Sequence, residues 1–290
     1  MPGFFFSSYF ICRIFLFSCS KLSPKPVNLI RLNKSSHITL VGAGNVSWHL
    51  GHRLIEVGCR IVKLINRENK GSTALASDLN CQLFSDFSVS NADSDFVIVA
   101  INDSFIGEVL QKLDKKNSII LHTSGSLGME IFPKGTKRFG VLYPFQTLTS
   151  GVRVNFSEIP LCIEGCDNET RVKIEGLAKR LSSVVHHIDS QQRQILHLTG
   201  VIANNFTNHF MTLATELLQK HGMDKNLLMP LFSETLAKLK KTSPIVAQTG
   251  PARRNNKEII EKHLALLNNE PGLKKLYSIV SDSIIAYYSG

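Results

Sequence analysis

The chain is short of acid, of tryptophan and of long apolar runs. It has 23 Asp and Glu against 33 Lys and Arg, and a single Trp in 290 residues. Residues 1–36 hold no acid at all, and half of the net charge of +10 sits there, as Arg13, Lys21, Lys25, Arg31 and Lys34. Beyond that segment the basic residues fall in short groups, among them 238–241 and Arg253-Arg254. Such an excess suits a phosphorylated small molecule and supplies no motif for nucleic acid. No apolar run reaches the roughly 20 residues that a membrane span needs. The six cysteines are scattered, with no paired zinc-ligand spacing and no disulfide framework. They read as reduced thiols in a cytoplasmic protein, and no metal site is expected.

The first 20 residues fit no targeting pattern in full. Phe4-Phe5-Phe6 and the apolar run at 10–17 are split by Arg13, whereas a secretory signal wants a basic start and an unbroken core. An acid-free, Ser-containing organellar presequence fits in part. The plain expectation is a disordered extension over residues 1–35, with Ser23-Pro24-Lys25-Pro26 as its linker.

What is present is organised around residues 38–50. An apolar run ends in Gly42-Ala43-Gly44-Asn45-Val46 and passes directly into a helical pattern. That is the strand, turn and helix of a dinucleotide fold. Gly42 allows the tight turn, Gly44 lets backbone approach a pyrophosphate, and the free N–H groups of the helix face its charge. The third fingerprint position holds Ser47 instead of Gly. A second strand at 60–65 ends on Asn66-Arg67 with no acid for the ribose hydroxyls, which favours NADP over NAD. Arg67 as a plain solvated loop residue is the alternative.

Further buried-strand patterns follow, at 95–101, 118–122, 138–142, 159–165 and 184–188, with helices between several of them. Each carboxyl end carries small or polar residues: Ala100-Ile101-Asn102, Thr123-Ser124-Gly125, Tyr143-Pro144-Phe145. Ligands bind at that edge of an open parallel sheet. From residue 190 to 220 the pattern is helical and nearly apolar all round, so the helix should be buried, in a core or between subunits. Its polar exceptions Arg193, His197, Asn204, Asn208 and Thr215 recur at helical spacing, with Asn205 beside them. They form either a wall facing substrate or a set of satisfied core groups. Helices are expected at 224–240, 256–267 and 273–288, with Arg253-Arg254 in the turn after Gly250-Pro251. Paired arginines suit carboxylate or phosphate.

Together, the stretches 41–46, 122–126, 143–147, 203–209 and 248–254 resemble a bacterial family of NADP-dependent oxidoreductases that joins a Rossmann-like domain to a helical domain of unassigned function. The layout is more distantly similar to pyrroline-5-carboxylate reductase, deazaflavin-linked NADP reductase, prephenate dehydrogenase and the β-hydroxyacid dehydrogenases. The last of these carry a Lys on the long helix, four residues before an Asn; this chain has no Lys from 190 to 219. The resemblance implies an α/β Rossmann-like parallel-sheet domain at 36–165 and a mainly helical substrate and dimerisation domain at 166–290. NADP would rest on Gly42, Ala43, Gly44, Asn45, Val46, Asn66, Arg67, Ala100, Ile101 and Asn102. Hydride would pass to or from a small, acidic carbonyl or imine substrate. His197 or His122 would move the proton, with Asn204 orienting it. Ser124, Gly125, Asn205, Asn208, Arg253 and Arg254 would bind substrate. A homodimer with no nucleic-acid partner is expected. The competing expectation is a non-catalytic NADP-binding redox sensor or partner subunit.

Overall fold

The computed structural model describes residues 35–114 and 117–289. Of the expected extension at 1–35, all but Ser35 lies outside the described residues. Eight strands form one sheet in the order β3-β2-β1-β4-β5-β6-β7-β8. They are β1 His37–Val41, β2 Arg60–Ile65, β3 Gln82–Phe84, β4 Phe96–Val99, β5 Ile119–His122, β6 Phe139–Pro144, β7 Leu161–Gly165 and β8 Val185–His187. Every pairing is parallel except β6 with β7.

Parallel strands need covered faces, and these strands read as apolar on both sides. Ile38, Leu40, Ile98 and Leu121 point into one core, with Leu50 and Leu54 of α1 (Asn45–Glu56), Leu75 of α2 (Lys70–Asp78) and Ile174 and Leu177 of α4 (Asn168–Leu181). Val41, Val97, Val99 and Ile120 enter a second core on the other face, with Ile106, Val109 and Leu110 of α3 (Asp103–Lys112). Helix starts are capped where the sequence offers a short polar side chain. The Asn69 side chain accepts from Ser72 N and that of Asp167 from Thr170 N. Because β1 stands between β2 and β4, the chain reverses direction across the sheet there and opens a crevice at the carboxyl ends.

From Ser190 the described chain is helical. Helix α5 (Ser190–Gly200), a π-helical turn (Val201–Phe206) and α6 (Thr207–Lys220) run on without a break. Then come α7 (Leu228–Leu239), the short α8 (Pro244–Ala247), α9 (Lys257–Leu266) and α10 (Pro271–Ser289). The expected burial of the long helix in the chain's own core is corrected here. Across α5, the π turn and α6 only Arg193 is buried. Ile195, Leu198, Ile202 and Phe206 are each more than half exposed. The apolar stripe is present, but among the described residues these side chains stay largely uncovered.

Candidate active site

The site grows from the turn after β1. Gly42 has φ +105°, and a Cβ there would stand 2.3 Å from the Ala100 carbonyl oxygen. Only glycine fits so close to the end of β4. Gly44 differs: a Cβ there would meet nothing within 4 Å. The protein itself therefore does not demand this glycine, and open space lies above it. Gly44 also precedes α1 without a side-chain cap, and the first turn of α1 carries no acid. Unsatisfied N–H groups at a 12-residue helix are thus offered to an anion. At the third fingerprint position the buried Ser47 donates its hydroxyl to Ala100 O at 3.2 Å. It ties the helix to β4, where a glycine would only let the two approach.

A cleft of about 550 Å³ opens over this turn. Gly42, Ala43, Gly44, Asn45, Val46, Asn66, Ala100, Ile101 and Asn102 line it, as does the Ser124-Gly125 pair after β5. This wall of turn backbone, helix terminus and strand ends fits a nicotinamide dinucleotide. Arg67 follows Asn66 but is exposed and does not line the cleft; its carbonyl accepts from Asn66, Asn69 and Ser72. A second cleft of about 400 Å³ adjoins the first and is lined by Phe145, Gln146, Thr147, Gly200, Val201, Ala203, Asn204 and Asn205. Tyr143 and His197 line both. Neighbouring Asn204 and Asn205 both face the second cleft from the π turn, a widened helical geometry that often marks functional sites.

Several expected residues stand elsewhere. His122 is fully buried, stacked on Phe132 at 5.4 Å, and its Nδ1 accepts from Ser124 N. It lines neither cleft. Asn208 is exposed on α6, outside both clefts. Arg253 lies over the ring of Tyr288 at 4.3 Å, and Arg254 is exposed; neither lines either of these two clefts. Among the cleft residues, the sequence reasoning passed over Asn69, Asp103 and Tyr143 as functional groups. Their signal was position: Asp103 and Tyr143 belong to strand-end segments, and Asn69 follows β2 closely.

The polar groups are tightly interlinked. Ser124 Oγ donates to Asp103 Oδ2 at 2.8 Å and accepts from the N–H groups of Ser126 and Leu127. Ser126 Oγ donates to the same carboxylate. Tyr143 Oη and His197 Nδ1 are 3.1 Å apart. Burial, reinforced by the charge of Asp103, pushes the Tyr143 phenol up to about 12, so it keeps its proton at neutral pH.

Burial, and then the nearby Arg193 guanidinium, lower His122 to about 4. The unfolded ring binds its proton near pH 6.5, above the folded value. Stability is therefore intact above about pH 6.5 and declines by about 3 kcal/mol as the pH falls to 4, where the folded ring also protonates. Urea melts of the wild type and His122→Gln across pH 4–7 will show this slope in the wild type and a shallower one in the variant. Equal slopes would refute it.

Residues 37–124 match the family model described as NADP oxidoreductase, coenzyme F420-dependent, and residues 159–284 match a domain of unknown function (DUF2520). No curated protein matches the chain. Among solved structures, a Bacteroides fragilis protein named "putative NADP oxidoreductase" is 34% identical, with TM-score 0.81 over 87% of this chain and 98% of its own. A pyrroline-5-carboxylate reductase from Streptococcus pyogenes is 15% identical, with TM-score 0.55 over 87% and 97%. A reductive aminase from Aspergillus terreus, solved with NADPH and ethyl levulinate, is 14% identical, with TM-score 0.66 over 88% and 100%. The last two are similar in fold.

Proposed function

This chain belongs to the NADP oxidoreductase family that carries a DUF2520 region after its nucleotide domain, and from that premise we propose that it transfers hydride between NADP and a small carbonyl or imine substrate. One observation carries the reading: the open space above Gly44 at an uncapped, acid-free helix start, continuous with a second cleft. Residues 42–46 would hold the pyrophosphate, Asn66 and Arg67 the adenosine ribose and its 2′-phosphate, and Ala100, Ile101 and Asn102 the nicotinamide side. The cofactor, when bound, supplies the hydride. The chain's task is to exclude water, orient the acceptor and supply a proton.

Phe145, Asn204 and Asn205 give the second cleft an aromatic wall and two amides, suited to an acceptor with polar substituents. On this reading residues 36–165 bind nucleotide and residues 166–290 provide the substrate wall and the subunit contact. The exposed apolar stripe of the long helix supports a homodimer, in which Arg253, Arg254 and Asn208 would have to meet an acidic substrate group from outside the single-chain cleft. The free cysteines among the described residues are in keeping with a cytoplasmic setting. The same residues contain no helix long and apolar enough to cross a membrane.

The test is a fluorescence titration with NADPH and NADH, with light scattering on the same sample. The expected result is a dimer that prefers NADPH. Arg67→Ala should weaken NADPH about tenfold, the scale of one charge-assisted contact, and leave NADH unchanged. Absence of binding to either nucleotide would sink the reading; a monomer would remove the homodimer alone. Tight binding with no turnover of any carbonyl or imine would instead favour the sensor reading.

A further inference from the structure

The proton needed beside a hydride acceptor has few sources here. His122 is sealed in the core. The Ser124 hydroxyl is already spent on Asp103 while its oxygen accepts two backbone N–H groups. Asp103 in turn receives both Ser124 and Ser126. What remains where the nucleotide cleft meets the second cleft is the pair Tyr143 and His197, the two residues common to both linings.

The surroundings are shaped to hold that pair. A Cβ on Gly125 would stand 2.7 Å from His197 Nδ1 and 2.7 Å from the Tyr143 ring at Cζ, so glycine is what admits both rings. Gly200 does the same for Phe145, whose edge a Cβ would meet at 2.7 Å; that ring lies 6.2 Å from Tyr143. Tyr143 stands at the end of a sheet strand and His197 on α5, so their contact joins the two halves of the site.

We propose that Tyr143 is the catalytic proton donor of this site and that His197 resupplies it through Nδ1. The proposal rests on the oxidoreductase reading above. When hydride adds to the carbon of a C=O or C=N bond, the π pair moves to oxygen or nitrogen. A new O–H or N–H bond forms there as the Tyr143 O–H breaks. The His197 Nδ1–H bond then breaks and restores the phenol, and the ring regains a proton from solvent. The acceptor gains two electrons and two hydrogens, one hydrogen as hydride and one as this proton. Oxidation of the product runs the same path backwards. With Nδ1 carrying hydrogen, the imidazole donates to Tyr143 Oη, and the phenol hydrogen is released toward the second cleft.

Tyr143→Phe deletes one oxygen and keeps the ring, and with it the packing. The assay follows NADPH oxidation from pH 5 to 9 with 2-methyl-1-pyrroline as imine and cyclohexanone as ketone. Tyr143→Phe is expected to lose about 100-fold in kcat, the scale of one general acid, with NADPH affinity within about twofold of wild type. Its kcat profile across that pH range should also differ in shape from that of the wild type. His197→Asn should lose a similar factor, and the double variant no more than Tyr143→Phe alone, as expected of two groups that act as one unit. A readout independent of turnover is ¹⁵N NMR of the nucleotide-free protein: Tyr143→Phe should move the His197 Nδ1 resonance and leave those of His186 and His209 in place. Wild-type kcat and pH profile in Tyr143→Phe, or an unmoved His197 resonance, would overturn the relay and leave the oxidoreductase reading standing. A wild type that reduces neither probe would bring down both.

Discussion

Arg193→Met will lower the unfolding free energy by about 3 kcal/mol, the low end of the usual cost of stripping one partner from a buried ion pair. Arg193 is fully buried at the start of α5 and pairs with Glu164, itself about four-fifths buried, on β7. Its guanidinium also donates to Leu127 O at 2.6 Å. The substitution leaves the Glu164 carboxylate without its cation and Leu127 O without its donor. A partly hydrated Glu164 keeps the cost at the low end. The double variant Arg193→Met/Glu164→Leu, which removes both charges, should recover at least half of the loss in urea melts. If it is no more stable than Arg193→Met, the penalty is packing and not the orphaned charge.

The effect should reach function. The first turn of α5 grips the segment 124–129 at three points. Besides Arg193 on Leu127 O, Gln194 donates to Ser126 O at 3.0 Å, and Ser190 Oγ accepts from Met129 N at 3.1 Å. That segment contains Gly125, against which the Tyr143–His197 pair is packed. Arg193 is thus a positioning residue, and its loss should lower kcat more than it raises KM.

Gly42→Ala will abolish nucleotide binding and destabilise the fold together, and Gly44→Ala will separate the two. At Gly42 the methyl group would meet Ala100 O at 2.3 Å and Ala100 C at 2.9 Å. That carbonyl cannot retreat: Ala100 N donates to Val41 O at 2.8 Å, and Ala100 O accepts from Ser47. The left-handed φ alone costs an L-residue about 1–3 kcal/mol, and the clash adds to it. Melting temperature and NADPH affinity should therefore fall together. At Gly44 the backbone is extended, with φ −86° and ψ −171°, and the methyl group would enter open space. Gly44→Ala should melt like wild type within about 1 kcal/mol, yet bind NADPH at least tenfold more weakly because the methyl occupies the approach to the pyrophosphate. Wild-type NADPH affinity in Gly44→Ala would place the pyrophosphate elsewhere.

The fold was legible because its signals are local. Apolar runs near 38–41, 96–99 and 119–122 read as strands covered on both faces, and the structure sets them side by side as β1, β4 and β5. The Gly42-x-Gly44 turn carries its own chemistry, since a positive φ and an uncapped helix start need no distant partner to be recognised. Ser47 was visible only as a departure from glycine at the third fingerprint position; its hydroxyl bond to Ala100 O requires two segments 53 residues apart to meet.

Side-chain direction was not legible. His122 and Tyr143 both lie at the ends of buried strands, and only the chemistry of the histidine set it ahead. Alternation along β5 turns His122 inward against Phe132, whereas Tyr143 reaches the junction of the clefts. On the long helix, helical spacing grouped Arg193, His197 and Asn204, yet they stand in different settings: an internal clamp, one half of a polar pair and a cleft wall. Asn208, one turn further, has already left the cleft. By itself the sequence determined the parallel sheet, the glycine turn with its helix terminus, and the helical second half, because each follows from periodicity and backbone preference within a few residues. Only the tertiary structure decided which polar groups meet, since hydrogen bonds such as Tyr143–His197 and ion pairs such as Glu164–Arg193 join residues 54 and 29 positions apart, and burial is a property of what packs above a residue.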